Sequence, residues 1–238
     1  QDFKLAKEFD LLISAHVWGA PNRMNPHGYF KLAKQKLLDG RHNLVHGVYL
    51  KDRELKTILS SGTKVTVTPE VELQMGHGIP ITGRLRSLGV RPSIGVDVES
   101  NISGDMFSVI RMTLQTQRNL DNLRLAKKTK APINALSITP KEALEWATID
   151  NASALRLDQK IGSLTPGKQA DIILINKNHL NILPVHNPLE SIVFQANGSN
   201  VDTVMINGKI RKRGGKMVYR NLSKKKELLV QSGRKILK

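Results

Sequence analysis

Short apolar segments alternate with helical patterns through the first hundred residues, and this alternation constrains the fold more than any other feature. Leu11 to Val17 is short and apolar, as a strand covered on both faces should be. Tyr29 to Leu38 carries Phe30, Ala33, Leu37 and Leu38 at helical spacing and stops at Gly40. "NLVHGVYL", Asn43 to Leu50, predicts a second strand. "DRELKTILSSG" predicts a helix with Asp52 as N-cap, closed by Gly62. Lys64 to Thr68 predicts a third strand, and Pro80 to Leu88 a short helix ended by Gly89. "PSIGVDV" predicts a fourth strand ending at Asp97. Strand–helix repeats with short loops demand parallel strands and right-handed crossovers.

A longer helix is expected from about Gly104 to Ala126, then the linker "KKTKAPINALSI". "TPKEALEWATIDNASAL" predicts one helix with Thr139 as cap, Pro140 in its first turn and Glu142 completing a capping box. The pattern changes near residue 160. A strand in "ADIILIN", two strands around Asn207-Gly208 and a terminal amphipathic helix capped by Ser223 predict a small β-module. The fold class is therefore α/β: a partial (β/α)8 barrel of about four βα units over residues 1–158, then a C-terminal β-sandwich module with a terminal helix over residues 159–238. Phe3, Leu5, Ala6 and Phe9 predict an amphipathic helix leading into the first strand.

Composition narrows the function. With no cysteine, thiol catalysis, disulfides and zinc fingers are excluded, and any metal site must use His, Asp and Glu. The formal charge of +17 raises the alternative of a protein that binds nucleic acid or an anionic surface. Against it, the basic residues are scattered, and 4% aromatic content gives little for base stacking. No apolar run approaches the roughly 20 residues of a membrane span, and the N-terminus lacks the shape of a signal peptide. The expected location is the cytoplasm.

In parallel α/β folds, functional groups gather at the C-terminal ends of the strands. His16 ends the first strand, His46 lies near the end of the second, Thr68-Pro69-Glu70 follows the third, and Asp97 ends the fourth. One histidine in such a place is more often a satisfied core residue. Two histidines and an aspartate at equivalent ends point to a site. Imidazole nitrogen with carboxylate oxygen suits one divalent ion, zinc or iron. Such an ion lowers the pKa of water toward neutrality. Asp97 could then take the proton as water attacks and return it to a leaving amine. His46, if not a ligand, could polarise the group under attack.

The chain resembles the amidohydrolase superfamily, in the branch of cytosine deaminase-like and chlorohydrolase-like enzymes. "LISAHV" resembles the family's fifth barrel strand, whose histidine binds metal, and "NLVHGVYL" the sixth, whose histidine meets substrate or a second metal. "VTVTPEVELQMGHGIPITGRLRSLGV" and "SIGVDVESN" resemble the seventh and eighth. "TPKEALEWATIDNASALRLDQKIGSLTPGKQADIILIN" resembles the helix and module after the barrel, where Gly167 and Asp171 would be structural. The resemblance implies a metal-dependent hydrolase of a non-peptide carbon–nitrogen bond in a small molecule. His16 and Asp97 would bind metal, Asp97 and His46 would be catalytic, and His46, Trp18, Glu70 and His77 would contact substrate.

Two departures qualify this. The family's His-x-His pair on the first strand has no counterpart among histidines 16, 27, 42, 46, 77, 179 and 186. The chain thus reads as strands five to eight, a fragment inactive alone, with the first half missing or supplied by a second chain or a homo-oligomeric partner. A catalytically dead subunit on a degenerate scaffold is the further alternative. Deaminases of the branch also carry a glutamate three residues after the strand-five histidine, where this chain has Gly19. Glu70 or Glu72 is the alternative source of a carboxylate, although a solvated loop is the simpler reading for both. His27 and His42 read as loop residues, and His179 and His186 as parts of the module.

Overall fold

The strand–helix alternation produces parallel pairing. The computed structural model describes residues 2–17, 27–130 and 135–236. Helix α1 (Asp2–Glu8) leads into β1 (Ile13–Val17), followed by α2 (Gly28–Lys34), β2 (His42–His46), α3 (Asp52–Ser60) and β3 (Lys64–Val67). Next come α4 (Pro69–Gln74), α5 (Thr82–Ser87), β4 (Ser93–Ile94) and the long α6 (Met106–Thr129). The strands form one parallel sheet in the order β1-β2-β3-β4. Val17 lies opposite His46, Val45 opposite Thr66, and Val67 opposite Ile94. The C-terminal ends of all four strands therefore share one rim.

Helices cover one face of this sheet. Leu55 and Ile58 of α3, Leu85 of α5 and Val109 and Leu114 of α6 are 0% exposed and join Leu44, Val65, Val67 and Ile94 in one cluster. Each aliphatic side chain removed from water in this way contributes ~1.5–3 kcal/mol. The sheet does not close: among the described residues β1 and β4 each pair on one side only. This is an arc of a (β/α) barrel.

Two helices follow, α7 (Pro140–Ala147) and α8 (Ile149–Ala154). Thr139 Oγ1 accepts from Glu142 N at 3.2 Å and Glu142 Oε2 accepts from Thr139 N at 2.9 Å, the expected capping box. The single helix expected here instead breaks at Thr148, whose hydroxyl donates back to Leu144 O at 2.8 Å. The break lets Asn151 Oδ1 accept from Ile94 N at 2.8 Å. That bond, with Gly95 N donating to Val67 O at 3.0 Å, ends β4 earlier than the sequence predicts and sends Val96 and Asp97 out of the sheet.

The module holds β5 (Ile172–Ile175), α9 (Pro188–Glu190), β6 (Val201–Ile206), β7 (Lys209–Arg213), β8 (Lys216–Met217) and α10 (Leu222–Ile236). Where the sequence predicts a sandwich, the described residues form a single antiparallel sheet in the order β5-β6-β7-β8. The Asn207-Gly208 turn has φ of 48° and 72°, both positive as a type I′ hairpin requires. Asp171 Oδ1 accepts from Asn207 N at 2.6 Å, so this aspartate ties the turn to the start of β5. Arg111 of α6 donates to Val193 O and Ala196 O at 3.2 and 2.7 Å, and Phe107 packs with Ile182, Ala196 and Val201. Helix α10 begins at Leu222, one residue before the expected cap, and none of its side chains is buried.

Candidate metal centre

The rim brings His16, His46 and Asp97 together. On β1, Val17 is buried in the core while His16 lies on the opposite, exposed face. On β2, His46 is buried at 4% exposure. His46 has φ of 71° and Asp97 has φ of 69°, in the left-handed region. Non-glycine residues there cost about 1–3 kcal/mol each and cluster at functional sites. Gly47 continues the turn at φ 71°, where an added Cβ would sit 3.0 Å from Leu50 Cδ1. These turns close the strand ends beside one another.

His16 Nδ1 lies 3.0 Å from His46 Nε2, and His46 Nε2 lies 3.6 Å from Asp97 Oδ2. One donor atom from each of the three residues falls within 4.8 Å of the others. Asp97 is exposed as a residue, yet its side chain is only 11% exposed, so main chain accounts for the exposure. Donors held 2.0–2.1 Å from a tetrahedral ion lie roughly 3.3 Å apart; the two separations through His46 bracket that spacing, and donor atoms of His16 and Asp97 lie within 4.8 Å of one another. The donor set fits a divalent ion of the zinc or iron type.

A second layer stands behind His46. Glu72, fully buried on α4, places Oε1 3.2 Å from His46 Nδ1, and Thr68 Oγ1 lies 2.9 Å from the same nitrogen. The Thr68 amide donates to Glu72 Oε1 at 3.1 Å. The solvated-loop reading of Glu72 is thus corrected: Pro69 opens a helix, and one turn later Glu72 points back at the strand ends. Glu70, on the same helix, instead accepts from Ser103 Oγ at 3.2 Å, toward the loop before α6. The His77 ring packs edge-on to that of His46, with centroids 6.1 Å apart. Trp18 and Gly19 lie outside the described residues.

His42 is not a loop residue. It opens β2, is buried, stacks on Phe3 at 5.0 Å and accepts at Nδ1 from Asp39 N at 3.0 Å. His27 stands just before α2 with its ring 6.4 Å from that of Phe30.

Two imidazoles and a carboxylate thus converge on the C-terminal rim of a parallel βα arc. The sequence profile of the amidohydrolase family matches residues 3–211. The chain belongs to the amidohydrolase family. It is 30% identical over 220 residues to a 5'-deoxyadenosine deaminase of Methanosphaera stadtmanae, covering 87% of this chain and 48% of that protein. It is 34% identical over 179 residues to a 5-methylthioadenosine/S-adenosylhomocysteine deaminase of Teredinibacter turnerae, covering 75% of this chain and 38% of that protein. The chain spans about half the length, or less, of these curated relatives.

The fold is similar to that of a zinc-bound adenosine deaminase from Xanthomonas campestris, with a TM-score of 0.79, 24% identity, and coverage of 98% of this chain and 51% of that one. It is likewise similar to an atrazine chlorohydrolase from Arthrobacter aurescens in complex with zinc, with a TM-score of 0.77, 19% identity, and coverage of 93% and 48%.

Proposed function

We propose that this chain forms part of a metal-dependent hydrolase that cleaves a non-peptide carbon–nitrogen bond in a small molecule. The observation that carries the reading is the convergence of one donor atom each from His16, His46 and Asp97 within 4.8 Å at the sheet rim. The named activities of the relatives, deaminases of adenine nucleosides among them, support the bond class. Gly19 stands where deaminases of this branch carry a glutamate, so the reading stops at a carbon–nitrogen bond and does not specify ring deamination.

His16 and Asp97 hold one divalent ion, zinc or iron. Such an ion, when bound, lowers the pKa of water toward neutrality and polarises the bond attacked. Asp97 takes the proton from the attacking water and delivers it to the leaving nitrogen. His46 faces the same space and meets the substrate through Nε2. His77, packed against His46, borders that space, and Trp18 and Glu70 complete the proposed substrate contacts. We also propose two units, residues 1–158 and 159–238, and a cytoplasmic location. Among the described residues no helix is long and apolar enough to cross a membrane.

Calorimetric titration with zinc tests the site. One-site binding that is lost in both His16→Ala and Asp97→Asn supports it. Binding of equal strength in both variants and the unaltered chain removes it. The chain alone is expected to bind zinc weakly and to turn over nothing measurable, the remaining groups coming from a preceding segment or a second chain. Full hydrolytic activity from the purified 238-residue polypeptide would contradict that expectation.

A further inference from the structure

We propose that Glu72 is a positioning residue that holds His46 as its Nδ1–H tautomer and so turns a bare Nε2 lone pair toward His16 and Asp97. The tautomer stands on hydrogen-bond geometry alone; what the lone pair does for a substrate rests on the hydrolase reading.

Thr68 sets the direction of the network. Its amide N–H can only donate, and it points at Glu72 Oε1 from 3.1 Å. Oε1 is therefore an acceptor at this position, whatever happens at the other oxygen. The same Oε1 lies 3.2 Å from His46 Nδ1. An acceptor so placed needs a proton on Nδ1; a bare nitrogen would set two lone pairs against each other. The Thr68 hydroxyl, 2.9 Å from Nδ1, cannot decide the matter, because a hydroxyl donates or accepts equally well. With Nδ1 protonated, that hydroxyl accepts from the ring and donates onward to Glu72 Oε1 at 3.3 Å, and the network closes. On the far side of the ring, the bare Nε2 faces His16 Nδ1 across 3.0 Å.

Packing alone does not account for Glu72. It is 0% exposed, and among the described residues its Oε2 has no hydrogen-bond partner. A buried polar atom without a partner costs stability, so an aliphatic residue would serve the core better. Fixing the far nitrogen of an imidazole is a known use of such an outer carboxylate. The consequence is specific. In its neutral form His46 accepts a hydrogen bond, or a proton, from water or a substrate N–H. Polarising a substrate by donation from Nε2, the role expected from sequence, would need the other tautomer.

The test reads the ring nitrogens directly, by long-range proton–nitrogen correlation on the full chain carrying nitrogen-labelled histidine, above the histidine titration range. His46 is assigned from the signal lost in His46→Gln. The unaltered chain is expected to show a protonated Nδ1 and a bare Nε2. Glu72→Gln should preserve this pattern, because the Thr68 amide selects the carboxamide oxygen. Thr68→Val should also preserve it. Glu72→Leu should lose it, giving the opposite tautomer or an exchanging mixture. Circular dichroism checks the fold, and Glu72→Met replaces the leucine variant should that one unfold. A protonated Nε2 in the unaltered chain, or an unchanged pattern in a folded Glu72→Leu or Glu72→Met chain, overturns the proposal. Absence of zinc binding by the unaltered chain, with the tautomer intact, would instead count against the hydrolase reading.

Discussion

His16 and His46 are 30 residues apart in the chain and 3.0 Å apart through their ring nitrogens. Parallel pairing of β1 with β2 sets His16 opposite Val45, one residue short of His46, and His46 leaves the strand in the left-handed region at φ 71°. Replacing either His16 or Asp97 removes one donor from the trio. Each change is expected to weaken zinc binding by at least ~100-fold, beyond the 10–100-fold typical of an outer partner. Competition against a chromophoric chelator measures it.

The left-handed turn at Asp97 separates backbone strain from function. A side chain in that region costs roughly 1–2 kcal/mol relative to glycine. Asp97→Gly and Asp97→Ala should lose zinc equally, whereas the glycine variant should be ~1 kcal/mol more stable than the alanine variant. Urea denaturation of both metal-free chains compares them.

Gly162 is expected to be irreplaceable by alanine. Its φ is +88°, and an added Cβ would stand 2.7 Å from Ala152 Cβ and 3.0 Å from Ile149 Cα. Neither obstacle is a flexible side-chain end. Gly162→Ala should destabilise by about 2 kcal/mol or more, combining strain with overpacking. A lowered thermal midpoint with unchanged helix content at 25 °C would show it.

Acid stability should respond to Asp39. The Arg41 side chain, bonded to the Asp39 carboxyl, holds its pKa at about 2, below the usual 3.8. A depressed carboxyl pKa contributes stability above the unfolded value, and that contribution is lost as pH falls through the folded value. The window here runs from about pH 4 down to about pH 2. Asp39→Asn should lower stability at neutral pH and flatten the decline in that window. The side chain is 33% exposed, so solvent screening makes the effect modest. Thermal melts across the acid range provide the measurement.

The charge of +17 is expected to be a general surface property. Duplex DNA should show no tight complex at about 0.15 M salt, where screening extends over about 8 Å. A tight complex that weakens steeply as salt is raised would instead favour the nucleic-acid reading.

The sequence makes some of this legible and hides the rest for physical reasons. The ends of β1 and β2 are readable because apolar runs stop there, beside His16 and His46, whereas Asp97 lies three residues beyond the end of β4. The cap of α7 is readable because Thr139, Pro140 and Glu142 are local chemistry. Glu72 escapes because an acidic residue after Thr-Pro resembles a loop, although the same Thr-Pro pair that opens α7 also opens α4. Burial of Glu72 depends on α6 packing across α4, which no local pattern announces. His42 escapes likewise, since its cover, Phe3, comes from a helix 39 residues earlier. The early end of β4 depends on Asn151, 57 residues downstream, taking the amide of Ile94.

The alignment of Val17 with His46 and of Val67 with Ile94 has a consequence for how such a chain can change. Insertions in the loops beyond the rim would reshape what enters while leaving the donor trio in place. A single residue gained or lost inside β2 would exchange which of its side chains meet the helices and move His46 out of level with His16. Variation should therefore accumulate in the connecting segments, with the strands behaving as a fixed ruler.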